Sequence, residues 1–214
     1  SILDSYGNAH MFCSALSADI LCSRLPDDIQ RLLVDADTDS LHYAISSAYA
    51  LLIDPERRKD LSAYFTPPIL ARAAIEASAS FLDETPDPAV LDPACGGGSF
   101  LTPVARYLVA KKCKQGISVD EACRRSLKDI QGIEIDDCLA ALSQTLLRKM
   151  LAREYGFVRR GPLGVVRCGD ALSEPLPRKY DLVIGNPPYG KVRAKIDKSI
   201  LEAAGLANLG GHTN

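Results

Sequence analysis

Residues 89–100 of the 214-residue chain read Ala-Val-Leu-Asp-Pro-Ala-Cys-Gly-Gly-Gly-Ser-Phe. A short apolar run is followed by three successive glycines and then by an amphipathic helix, predicted to start near Ser99. Such a turn lets the backbone approach a ligand closely, and the free N–H groups at the helix start favour an anionic group. Neither the G-x-G-x-x-G spacing of dinucleotide sites nor the Gly-Lys-Ser/Thr of phosphate loops is present. The stretch therefore predicts a ligand-binding turn of another kind in an α/β protein.

Short β-type runs and amphipathic helices alternate beyond this turn. Further strands are predicted at 129–135, 164–167 and 180–185. Asp136 or Asp137 is expected to cap the helix after the second strand, and Gly156 to end it. This alternation predicts a doubly wound parallel sheet, whose ligands bind beyond the carboxyl ends of the strands.

The composition excludes several classes of protein. Apolar residues make up 47% of the chain, with 25 basic and 27 acidic side chains, so neither disorder nor a basic-arm protein is expected. No apolar run reaches the roughly 18 residues of a membrane span, and the first residues do not resemble a secretory signal. Seven cysteines without a C-x-x-C pair indicate reduced thiols in a cytoplasmic protein, and no metal site is predicted.

The charge divides the chain into two predicted regions. Residues 1–60 carry 10 acidic and 5 basic side chains, whereas residues 61–214 carry 17 and 20. The first region is predicted to be helical, around 29–33 and over 39–53, with Pro55 ending the second helix. One side of that helix is predicted to carry Leu41, Ile45, Ala48, Tyr49 and Leu52. We predict an N-terminal helical region, 1–60, followed by an α/β domain, 61–214.

Two acids follow predicted strands. Glu134, in Gly-Ile-Glu-Ile-Asp at 132–136, is placed to accept hydrogen bonds from ribose hydroxyls at the end of the second strand. Asp170, in Cys-Gly-Asp-Ala at 168–171, could accept from the exocyclic amine of an adenine ring. Each signal is weak alone, because surface acids and Gly-Asp turns are common.

The fourth strand leads into Gly-Asn-Pro-Pro-Tyr-Gly at 185–190. Pro187 and Pro188 remove two N–H donors, so the turn presents mainly carbonyl acceptors. Asn186 adds a neutral side-chain acceptor, and Tyr189 can stack on a ring. This turn is suited to a planar NH₂ group carried by a ring.

The order of these segments, together with Tyr-Phe-Thr-Pro-Pro at 64–68, resembles the S-adenosylmethionine-dependent N6-adenine DNA methyltransferases. The cofactor motif precedes the catalytic one, as in the branch found in restriction–modification and related phage-defence enzymes. The resemblance covers about residues 57–214. It implies a Rossmann-like methyltransferase sheet.

The resemblance also implies roles for individual residues. The cofactor S-adenosylmethionine would be bound by Thr66, Pro67, Asp92, Ala94, Gly96, Glu134, Ile135, Asp170 and Ala171. The catalytic residues would be Asn186, Pro187, Pro188 and Tyr189. Two acceptors, the Asn186 side chain and the Pro187 carbonyl, would hold the two hydrogens of the target amine.

Double-stranded DNA would be the partner, with the target adenine rotated out of the helix. Lys191, Arg193, Lys195 and Lys198 would contact phosphates, although a solvated loop explains them equally well. Family members continue past the fourth strand, so we expect a longer protein with a C-terminal region that reads DNA sequence. Restriction or defence subunits are further expected partners.

Two other functions stay open. A methyltransferase acting on RNA bases or on a protein glutamine side chain would suit the same planar site. A methyltransferase-like scaffold without activity would retain the fold. The Tyr-Phe-Thr-Pro-Pro segment favours DNA, because we associate it with the DNA enzymes.

Overall fold

Within the part of the chain that the structure describes, four strands form one parallel sheet. The structure is a computed structural model that describes residues 36–60, 65–173 and 176–188. The strands are β1 (Val90–Asp92), β2 (Ile130–Glu134), β3 (Val166–Cys168) and β4 (Leu182–Val183). Their spatial order is β3-β2-β1-β4, with all neighbours parallel. The order reverses between β1 and β4, which is where such sheets bind ligands.

Helices precede and connect the strands. They are α1 (Thr38–Leu52), α2 (Pro55–Asp60), α3 (Pro68–Ala77), α4 (Ala79–Glu84), α5 (Leu101–Lys114), α6 (Val119–Asp129) and α7 (Asp137–Tyr155). The pair α5 and α6 connects β1 to β2, and α7 connects β2 to β3. The predicted α/β sheet is confirmed, with strand ends shifted by one or two residues.

The helix after β2 has the predicted ends. The Asp136 side chain accepts a hydrogen bond from the Leu139 N–H at 3.0 Å, and Gly156 follows the last turn with φ +65°. The helix predicted to start near Ser99, α5, begins two residues later, at Leu101. The turn continues through Phe100, which is buried in the core, and α5 begins after it without a side-chain cap.

The predicted apolar side of α1 is only partly right. Of the five residues expected there, Tyr49 is buried and Ile45 packs against the core, whereas Leu52 is 38% exposed. Polar groups can be buried on this helix because residues of α3, α5, the glycine turn and the start of α7 lie against them. The buried residues are Thr38, Asp39, His42, Ser46, Tyr49 and Ala50. Pro55 begins α2, after α1 has ended at Leu52.

An arginine holds the start of α1 against the α/β unit. The Arg106 guanidinium, on α5, donates to both carboxylate oxygens of the buried Asp39 at 2.9 Å. The same guanidinium donates to Glu154 on α7 at 2.7 and 2.9 Å. Residues 38–53 therefore pack on the sheet unit, and the division at residue 60 stays a prediction.

Other predictions concern the chain as a whole. Among the described residues, no helix is long and apolar enough to cross a membrane. The five cysteines in this part of the chain form no disulfide, in line with their scattered positions. The predicted helix at 29–33 and the basic residues of 191–198 lie outside the described residues.

Candidate functional site

The glycine turn lies between β1, β2 and α1. Its start is tied to the sheet by the Cys95 N–H, which donates to the Ile133 carbonyl at 2.9 Å. Gly98 has φ +85°, a conformation that side-chain-bearing residues rarely adopt. A Cβ added to Gly97 would lie 1.9 Å from the Ser46 Oγ of α1. The triple glycine thus lets the turn pack closely against α1.

Asp92 ends β1 as a buried acid. Its side chain is 1% exposed, and Oδ1 accepts a hydrogen bond from the Ala94 N–H at 3.2 Å. Oδ2 is buried without a hydrogen-bond partner among the described residues. Burial, with a smaller contribution from the charge of Glu134, raises the pKa of the Asp92 carboxyl to about 7. An unpaired buried carboxylate oxygen is suited to a bound cation.

Glu134 ends β2 and connects the glycine turn to α7. Its Oε2 accepts from the Gly96 N–H at 2.8 Å, and its Oε1 accepts from the Asp136 N–H at 2.9 Å. Burial raises the pKa of the Glu134 carboxyl, opposed by these two hydrogen bonds. Asp136 in turn accepts from the Tyr49 hydroxyl of α1 at 2.8 Å, in a buried contact. A hydrogen-bonded chain therefore runs from α1 to the predicted ribose-binding acid.

The residues predicted to surround an adenine ring lie after β2 and β3. Ile135 is a large hydrophobic side chain that is 59% exposed. Asp170 is partly exposed, and its carboxylate accepts from the Leu172 N–H at 2.9 Å and from the Ser173 hydroxyl at 2.7 Å. Ala171 lies in the same turn. These hydrogen bonds fix the Asp170 carboxylate in the turn.

The residues after β4 reach the same region from the other side of β1. A Cβ added to Gly185 would lie 2.5 Å from Oδ1 of Asp92, so the backbone passes directly over that carboxylate. The next side chain, Asn186, donates from Nδ2 to the Thr66 Oγ1 at 3.1 Å. Thr66 is buried and precedes Pro67, the N-cap residue of α3. Three separated segments thus meet beside β1.

Two of the four predicted catalytic residues are exposed. Pro187 and Pro188 lie at the surface, whereas Asn186 is half-buried. Tyr189 lies outside the described residues.

Sequence reasoning missed the contribution of α1. His42, Ser46 and Tyr49 are spaced four and three residues apart, so they share one buried face of α1. This face lies against Thr102 of α5, the glycine turn and the start of α7. A cavity of about 10 Å³, the size of one water molecule, separates His42 from Thr66. Burial lowers the pKa of His42 to about 4, so its ring is neutral at pH 7. The sequence signal that could have predicted this buried face is the helical spacing of these three polar residues.

One group of side chains has the spacing of metal ligands. Asp136, Asp137 and Cys138 each bring one ligand atom within 4.8 Å of the others. Asp136 already caps α7 and accepts from Tyr49, and the Asp137 Oδ1 accepts from the Cys138 N–H at 2.8 Å. These contacts explain the cluster as a helix start. The expectation that no metal takes part stays a prediction.

Two curated proteins are similar to part of the chain. One is the Type II methyltransferase M.XhoI from Xanthomonas vasicola, 27% identical over 118 residues, which are 53% of this chain and 21% of that protein. The other is the Type II methyltransferase M.VspI from Vibrio sp. (strain 343), 29% identical over 133 residues, 59% of this chain and 26% of that protein. The matched part of the chain thus spans about a fifth of the first relative's length and about a quarter of the second's.

Solved structures give weaker similarities. A cryoEM structure of a DrdV–DNA complex aligns with a TM-score of 0.49 and 18% identity, covering 82% of this chain and 16% of that chain. A predicted N6-adenine-specific DNA methylase from Listeria monocytogenes aligns with a TM-score of 0.36 and 17% identity, covering 68% and 40%. The model of the N-6 DNA Methylase family matches residues 44–208, which include the glycine turn, Glu134, Asp170 and Asn186. The chain therefore belongs to the N-6 DNA methylase family.

Proposed function

We propose that the protein containing this chain transfers a methyl group from S-adenosylmethionine to adenine N6 in double-stranded DNA. Its setting would be a restriction–modification or related defence system in the cytoplasm. The observation that carries the proposal is the meeting of Asn186, Thr66 and Asp92 at the carboxyl end of β1. This arrangement places a turn with two neutral hydrogen-bond acceptors beside the buried carboxyl group of Asp92.

The described residues fit S-adenosylmethionine. The unpaired Oδ2 of Asp92 would accept from its ammonium group, with Ala94 and Gly96 forming the floor. Glu134 would accept from the ribose hydroxyls through the lone pairs that its two backbone hydrogen bonds leave. Contacts to the adenine ring and the methionine end are proposed for Ile135, Asp170, Ala171, Thr66 and Pro67.

The chemistry depends on acceptors placed around the target amine. The N6 lone pair is delocalised into the purine ring, so the amine is a poor nucleophile. Asn186 Oδ1 and the Pro187 carbonyl would accept its two hydrogens and favour the pyramidal, charge-bearing geometry of the transition state. Bound S-adenosylmethionine supplies an electrophilic methyl group. The N6–methyl bond would form as the methyl–sulfur bond breaks, and the positively charged methylated amine would then release one proton to solvent, so no strong base is required.

A base in duplex DNA must leave the helix to reach this turn. Tyr189 would stack on the flipped adenine and offset part of the unstacking cost. Pro188 would restrict the backbone before it. The exposure of Pro187 and Pro188 supports access from solvent.

The test supplies the full-length protein with methyl-labelled S-adenosylmethionine and with DNA, RNA and cell protein in parallel. We expect label in N6-methyladenine from DNA. Label in RNA or in glutamine would contradict the proposed substrate but not the proposed cofactor site. If no substrate is labelled although the cofactor still binds, the result would favour a methyltransferase-like scaffold without activity.

Asn186→Ala tests the proposed catalytic turn. Asn186 would contact the target amine but not the cofactor, so its removal should lower the methylation rate by about a hundredfold or more. Cofactor affinity, measured by calorimetry, should stay the same and serves as the control for folding. Turnover equal to that of the unaltered protein would remove Asn186 from the mechanism.

A further inference from the structure

The contact between Asn186 and Thr66 joins two segments that are 120 residues apart. The Asn186 Nδ2 donates to the Thr66 Oγ1 at 3.1 Å, and Thr66 is only 7% exposed. Both neighbours of Thr66 are held in place. Phe65 packs against the buried residues of α1 and α7, and Pro67 is the N-cap residue of α3. The hydroxyl therefore has a well-defined position.

An asparagine amide has two unlike ends of almost the same shape. Only Oδ1 accepts hydrogen bonds, whereas Nδ2 only donates them. To accept a hydrogen from an amine, Asn186 must direct Oδ1 at the substrate and leave Nδ2 pointing elsewhere. An amide rotated by half a turn would present a donor to another donor.

We propose that Thr66 is a positioning residue that fixes the orientation of the Asn186 amide, an inference that rests on the proposed function. By accepting from Nδ2 while its own hydrogen is donated to another acceptor, the Thr66 hydroxyl holds Nδ2 on its side. The rotated amide is then unfavourable, because the hydroxyl has no second hydrogen to donate to Oδ1. The interaction requires a hydroxyl at this position and no charge.

This role is compatible with a contact to the cofactor. A threonine hydroxyl has one hydrogen to donate and two lone pairs that accept. Thr66 can accept from Asn186 and still donate its hydrogen to another acceptor, such as the carboxylate of a bound cofactor. The two roles differ in what they affect, because one alters the chemical step and the other alters cofactor affinity.

The experiment replaces Thr66 by valine, which keeps the shape without the hydroxyl, and by serine, which keeps the hydroxyl. Single-turnover methyl transfer to DNA is measured with the full-length protein at saturating S-adenosylmethionine, and cofactor affinity is measured by calorimetry. Thr66→Val should slow the single-turnover rate at saturating cofactor by about tenfold to a hundredfold, whatever change in cofactor affinity accompanies the loss of the hydroxyl. Thr66→Ser should restore most of the rate.

Two controls separate positioning from general damage. Thr145→Val makes the same chemical change on α7, where the hydroxyl donates to the Ala141 carbonyl at 2.9 Å, and should leave the rate unchanged. In an Asn186→Ala background, Thr66→Val should cause no further loss of rate, because the residue that it positions is gone.

Three outcomes would overturn the inference. The first is weaker cofactor binding by Thr66→Val with an unchanged rate at saturation. The second is a Thr66→Ser rate as low as that of Thr66→Val, and the third is an equal loss of rate with and without Asn186. If the unaltered protein methylates no substrate, the proposed function itself is refuted; an active protein that is insensitive to Thr66→Val refutes the positioning role alone.

Discussion

Lowering the pH should weaken cofactor binding through Asp92. Burial raises the pKa of this carboxyl to about 7, whereas a bound ammonium group would hold it ionised. Below the raised pKa the carboxyl is protonated and cannot pair with a cation, so affinity falls as pH falls. With a pKa of about 7, half of the sites are ionised at pH 7 and about one-tenth at pH 6. The dissociation constant should therefore rise by about fivefold over that interval, or about 1 kcal/mol.

The assay is calorimetric titration of S-adenosylmethionine between pH 5.5 and 7, below the range in which the cofactor's own amino group titrates, near 7.7 to 8. Buffers with different ionisation enthalpies should reveal proton release on binding. Asp92→Asn is the matched control, because it keeps the shape and removes the titration; its affinity should be lower and nearly independent of pH. The neighbouring Glu134 also has a raised pKa. An unchanged slope in Asp92→Asn would assign the effect to Glu134 or to the ligand, and a flat profile in the unaltered protein would refute the reasoning.

Three other changes give distinct results. Tyr49→Phe removes the buried hydroxyl that donates to Asp136, the residue that caps α7, and should lower the free energy of unfolding in urea by about 1–3 kcal/mol. The control Tyr43→Phe lies on the same helix but is partly exposed, and it should have little effect. Gly97→Ala places a Cβ 1.9 Å from the Ser46 Oγ, and should destabilise the protein by about 1–3 kcal/mol in the same assay. Adding Ser46→Gly should recover part of that loss, and no recovery would locate the strain elsewhere. Asp170→Ala should weaken the binding of S-adenosylmethionine, measured by calorimetry, by roughly 1–3 kcal/mol. An affinity equal to that of the unaltered protein would exclude Asp170 from the site.

Local signals predicted the parts of the fold that depend on neighbours in sequence. The glycine turn, the capping of α7 by Asp136 and its end at Gly156 all involve contacts within a few residues. Glu134 was predicted from its place at the end of a strand, which the bounds of β2 and its register with β3 confirm. Its role toward a ligand stays a prediction.

The contacts between distant segments could not be predicted in this way. The Tyr49–Asp136 hydrogen bond spans 87 residues and the Asn186–Thr66 hydrogen bond spans 120. The side of α1 was predicted from its leucines, but packing against the glycine turn and α7 selected its polar residues. Hydrophobic periodicity carries no information about a buried polar side chain whose partner lies on another helix.

The close fit between α1 and the glycine turn has a consequence for recombination between related genes. A crossover that falls between α2 and β1 would join α1 of one parent to the glycine turn and α7 of another. Ser46 would then face an unmatched turn, and Tyr49 an unmatched helix start. Functional chimaeras should therefore inherit residues 38–53 together with the sheet, and grafts of the sheet alone should need Ser46 and Tyr49 transplanted with it.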